Sequence, residues 1–119
     1  MTMMSFGNIV PLQGFMLGLA GYGPSKQDGI RDLILGQNDS EKIEAMFENH
    51  SRLVKLVDAN FGFSLKRWHE YLLSDGKFRK SYTHPYGWVG AKKAILAEIA
   101  NPDRARLEAL AEEMTSPDG

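Results

Sequence analysis

Between Asn38 and Gly62, Ile43, Met46, Phe47, His50, Val54, Val57 and Phe61 recur at intervals of three and four. That period places them on one stripe of an α-helix, with the intervening charges on the other side. Asp39 or Ser40 supplies the N-cap and Asn60 with Gly62 the stop. A helix of this kind is marginal by itself in water, because its stability comes from burying the stripe against other elements. The rest of the chain must therefore provide further apolar faces.

It does so with helical punctuation throughout. A first helix is expected after Asn8, with Pro11 in its opening turn and Ile9, Leu12, Phe15 or Met16, and Leu19 inward, ending at Gly21-Tyr22-Gly23-Pro24. A second, over 26–35, follows from a Ser25/Asp28 capping arrangement, with Ile30, Leu33 and Ile34 inward and Gly36 as its stop. After the long helix, Ser64 caps one whose inner face is Leu65, Trp68 and Leu72, with Tyr71 at its edge, ending at Asp75-Gly76. Lys77 to Thr83 shows no periodicity and is expected to be a loop. Thr83-His84-Pro85 then opens a helix burying Val89, Ile95, Leu96 and Ile99. Asn101-Pro102-Asp103 opens the last, with Leu107, Leu110, Ala111 and Met114 on its apolar side. No run of alternating β-branched residues occurs. The expected fold is all-α: a compact single-domain bundle of five or six short helices over 1–119, with 1–8 and 115–119 as flexible ends.

A chain of 119 residues, 43% hydrophobic and 24% charged, is long enough to bury one core. It has no cysteine, which removes disulfides, zinc-thiolate sites and thiol catalysis, and points to a reducing compartment, the cytoplasm. The apolar run Ile9 to Ala20 is interrupted by Pro11 and Gln13 and is shorter than the roughly 20 residues a bilayer span needs. It is read as a core helix, and no membrane partner is expected.

Net charge is −1, yet it is laid out in blocks: zero over 1–24, −2 over 25–65, +5 over 66–93 and −4 over 94–119. The basic block also holds Trp68, Tyr71, Phe78, Tyr82, Tyr86 and Trp88. Trp68, Tyr71 and Trp88 belong to helix faces and Lys92 and Lys93 to a solvated one. No helix demands large rings between Lys77 and Tyr86. Aromatics interleaved with cations have the composition of binding hot spots and of stacking platforms. The candidate partner-binding residues are accordingly Lys77, Phe78, Arg79, Lys80, Tyr82, His84 and Tyr86.

Other motifs carry less. Gly18 to Lys26 lacks the Gly-Lys-Ser/Thr spacing of a phosphate loop and reads as a linker. Gly14 and Gly18 flatten one face of the first helix; a weak, partly frayed helix is favoured over a close crossing. His50, His69 and His84 have no i, i+3 or i+4 partner histidine, so no metal site is assigned, and His50 is expected half-buried and hydrogen-bonded. No catalytic residue and no cofactor is assigned.

The expected function is a non-catalytic interaction, regulatory or inhibitor module that docks on an acidic protein surface. Nucleic-acid binding is the alternative, disfavoured by a pI near 6.3 and the acidic C-terminal block. A small enzyme with a histidine-based site is the second. Homo-oligomerisation through the glycine face of the first helix or through Met1, Met3, Met4 and Phe6 is also open.

Overall fold

The computed structural model describes residues 3–4, 9–24 and 33–115. Among these, six helices form: α1 (Pro11–Leu19), α2 (Asp39–Val57), α3 (Leu65–Ser74), α4 (Arg79–Tyr82), α5 (Pro85–Ile99) and α6 (Arg104–Thr115). The chain is thus mainly helical and bundle-like, and its radius of gyration of 13.6 Å is what a compact chain of this length should have.

Three short strands are an addition to the expected fold. β1 (Met3–Met4), β2 (Tyr22–Pro24) and β3 (Leu33–Leu35) make an antiparallel sheet in the order β1-β3-β2, with Ile34 facing Met3 on one side and Gly23 on the other. The helix expected over 26–35 is corrected here: Leu33–Leu35 is strand, and the remainder of that segment lies outside the described residues. A run of three apolar residues fits a buried strand as well as a helix turn. Pairing decides between them, and Gly36 N–H extends the ladder to the Gly21 carbonyl at 3.0 Å. Met3–Met4, placed within a flexible end by the sequence, is likewise paired. The dimer contact suggested for Met1 and Phe6 falls outside the described residues.

α1 is the centre of the molecule rather than a frayed end. Met16, Leu17 and Leu19 are fully buried, and the helix packs on α2, α3, α4 and α5. Gly18 makes the α1–α2 crossing close: a Cβ there would overlap the Asn49 side-chain amide. The two glycines part company at this point, because a Cβ on Gly14 would meet only Ile9 Cδ1, at 3.6 Å.

Caps follow local chemistry, that of α2 shifted by a residue from the expected one. Asn38, not Asp39 or Ser40, caps α2, its Oδ1 accepting Glu41 N–H at 2.9 Å, while Glu41 Oε1 accepts Gln37 N–H at 2.8 Å. Ser64 caps α3 as expected. The turn before α3 is held from α6: Glu112 accepts Phe63 N–H and Glu108 accepts Leu65 N–H, at 3.1 and 3.0 Å. His50 is half-buried beneath Phe63 and bonded to Asn60 at 2.9 Å, as expected.

Arg104, at the start of α6, is only 5% exposed. It donates to the Leu19 carbonyl at 2.8 Å and the Phe63 carbonyl at 3.4 Å, and pairs with Glu108 at 2.6 Å. Glu98 of α5 lies 3.7 Å away, close enough for an ion pair and too far for a hydrogen bond. One guanidinium therefore joins α1, the α2–α3 connection, α5 and α6.

Candidate functional site

The residues singled out between Lys77 and Tyr86 divide into two groups. Arg79 to Tyr82, expected to be loop, forms α4, a single turn that drives Phe78 and Tyr82 inward. Tyr82 is fully buried and Phe78 is 8% exposed. These two rings are corrected to core residues and offer no face on which a base could stack. Periodicity could not reveal this, because one helical turn is too short to show a period. Lys77, Arg79 and Lys80 stay exposed, His84 is half-buried, and Tyr86 is 78% exposed.

Beneath the exposed residues lies a polar and aromatic bracket. His69 Nδ1 and the Tyr82 hydroxyl are 2.6 Å apart, and Trp88 stacks on His69 and meets Tyr82 edge-on. From α1, the buried Gln13 amide donates to the Tyr82 carbonyl at 2.9 Å and the His84 carbonyl at 3.1 Å. Its oxygen accepts Val10 N–H at 3.1 Å, so one side chain both opens α1 and fixes the α4–α5 junction. Gly87 permits the approach: a Cβ there would lie 2.9 Å from the Ile9 Cα.

α5 corrects a second expectation. Its buried positions are Gly87, Ala91, Ala94, Ile95 and Glu98, so the face toward the core is made mostly of small residues. Val89, expected inside, is 79% exposed, and Leu96 is 40% exposed. The 87/91/94 spacing of small residues was the sequence signal for close packing, and it sends the larger side chains outward. Tyr86, Val89, Lys93 and Leu96 consequently form an outward stripe on α5.

Charge completes the site. From Lys77 to Lys93 the chain has five cations (Lys77, Arg79, Lys80, Lys92, Lys93) and no carboxylate. None of the five makes an ion pair among the described residues. Among the described residues of the acidic C-terminal block none pairs with them: Glu98 and Glu108 serve Arg104, Asp103 serves Arg106, and Glu112 holds Phe63 N–H. The surface from α4 to the middle of α5 is a basic ridge bearing two large exposed apolar side chains.

Burial holds the His69 pKa below its ordinary value, with Lys92 acting in the same direction and Glu70 opposing. A group whose folded pKa is depressed in this way binds protons more readily when unfolded, so stability must fall as pH drops through the ordinary histidine range near 6.5. Asp39, Asp75 and Asp103, with pKa values already lowered, titrate well below that window. Urea melts between about pH 7.5 and 5.5 should show a falling midpoint, and His69→Gln should flatten the slope. An unchanged slope in that variant would assign the dependence elsewhere.

No carboxylate hydrogen-bonds either His69 or His84 among the described residues. No helix among them is long and apolar enough to cross a membrane. Comparison of the chain with family models, curated proteins and solved structures finds no match.

Proposed function

We propose that this chain is a non-catalytic interaction or regulatory module that docks on an acidic protein surface through the α4–α5 ridge. One observation carries the reading. Tyr86 and Val89, 78% and 79% exposed, stand in a seventeen-residue run with no carboxylate and five cations that make no ion pair among the described residues. Exposed aromatic and aliphatic anchors rimmed by like charge are the composition of a hot spot for an oppositely charged partner. Phe78 and Tyr82 support it from beneath by packing in the core. The cations remain available to phosphates, but Tyr86 is the ridge's one well-exposed ring for stacking, which favours protein over single-stranded nucleic acid.

The reading is tested with a fluorescently labelled amphipathic helix of Glu and Leu and, in parallel, with labelled single-stranded DNA, at about 50 mM salt. The acidic peptide should bind, and Tyr86→Ser with Val89→Ser should weaken it tenfold or more, about 1.4 kcal/mol. Lys77→Ala, Arg79→Ala and Lys80→Ala together should slow association and reduce its salt dependence. No peptide binding, or binding that ignores the Tyr86 and Val89 changes, overturns the proposal. DNA binding with a steep salt slope and no peptide binding transfers the ridge to nucleic acid.

A further inference from the structure

We infer that the acidic surface the ridge fits is carried by a second copy of this chain. The inference rests on the docking reading of the ridge and identifies its partner. Between α1, α2 and strands β2 and β3 lies a cleft of about 740 Å³. Its walls are largely apolar, with Phe15, Leu33 and Leu35 among them, and α2 lines it with Glu41, Glu44 and Glu48 against one cation among the described residues, Arg52. The spacing of those glutamates, i, i+3 and i+7, sets them along one side of the helix. Glu41 is occupied by the Gln37 N–H. Glu44 and Glu48 are exposed and make no ion pair among the described residues.

The ridge and the cleft are therefore complementary in kind. One is basic and carries the exposed Tyr86 and Val89; the other is a cleft, acidic at its edge and apolar within. A cleft of several hundred Å³ has room for a few large side chains. Among the described residues no ion pair joins the two surfaces within one chain, although they adjoin: Ile9 lines the cleft and abuts Gly87, the residue after Tyr86. Because the two surfaces are neighbours, a two-fold axis between two copies lets each ridge enter the other's cleft, an isologous contact that closes at a dimer. A net charge of −1 imposes little overall repulsion on such a pair.

Charge exchange tests this directly. Sedimentation of the wild-type chain at about 50 mM salt should show a dimer of two 13.3 kDa chains that weakens at about 500 mM. Lys92→Glu with Lys93→Glu should give monomers, and so should Glu44→Lys with Glu48→Lys. All four residues are exposed, so the variants should retain the wild-type circular dichroism spectrum. Mixing the two variants makes both contacts complementary again, and a one-to-one dimer should return. A wild-type chain that stays monomeric at about 0.5 mM overturns the inference, as does a dimer that survives both exchanges. If that monomer still binds the acidic peptide through Tyr86 and Val89, the docking reading stands and only the identity of the partner falls. If it binds no acidic peptide, both fall.

Discussion

Arg104→Ala is expected to lower stability by about 3–5 kcal/mol, the range for breaking a buried ion pair from one side. The cost does not come from losing attraction alone. With the guanidinium gone, Glu98 keeps a buried carboxylate oxygen that has no hydrogen-bond partner even now, and the Leu19 carbonyl loses its 2.8 Å donor. Stability totals of roughly 5–15 kcal/mol are usual for domains, so this one change should bring the chain close to unfolding. The double variant Arg104→Met, Glu98→Met separates the two contributions. Removing both charges and keeping volume should recover much of the loss, because a buried pair is often worth little more than the apolar residues that could replace it. Arg106 is the control: it makes four bonds of 2.7–3.0 Å to Asp39 and Asp103, yet all three side chains are 44–57% exposed. Solvent competes for those bonds, so Arg106→Ala should barely move the urea midpoint. An Arg104→Ala loss below about 1 kcal/mol would show that the hub is not what joins these elements.

Gln13→Leu should be the next most damaging change, at about 3 kcal/mol. The shapes are similar, so the cavity contribution is small and the loss is almost wholly polar. The Tyr82 and His84 carbonyls and the Val10 N–H each lose a partner, and an unsatisfied buried group costs roughly 1–3 kcal/mol. The substitution lies in α1, yet its effect should reach the ridge, because Gln13 is what fixes the α4–α5 junction. Amide exchange should therefore speed up across residues 82–88 as well as in the first turn of α1. Binding of the acidic peptide should weaken in the same variant. A stability change under about 1 kcal/mol, or faster exchange confined to α1, would detach the ridge from this bracket.

How much of this was legible in advance depended on element length. The stripe of α2 from Ile43 to Val57 and the Ser64 cap of α3 come straight from spacing and side-chain chemistry, although the helix stops at a left-handed Asp58, short of Phe61 and of the expected Asn60-Gly62 stop. Leu33-Ile34-Leu35, expected as the end of a helix over 26–35, is strand instead, because three apolar residues have no period of their own and only the pairing with β1 and β2 decides. The same shortness hid α4, and with it the burial of Phe78 and Tyr82. Val89 was misplaced for a different reason: its size suggested the core, whereas Gly87, Ala91 and Ala94 had already claimed that face by allowing backbones to approach. The cleft glutamates were visible as exposed charges on α2, but nothing local says that an apolar hollow lies beside them.

The order of residues by itself determined that this chain would be mainly helical, where most of its helices start and stop, and that a nearly neutral total of −1 conceals a basic segment free of carboxylates. Those properties depend on neighbours three or four positions apart, which the covalent chain holds in range. Which rings are buried, which cations stay unpaired, and that an acidic cleft borders a basic ridge were decided by tertiary packing. They arise from contacts between residues as far apart as Gln13 and His84, or Leu19 and Arg104, whose meeting no local spacing encodes.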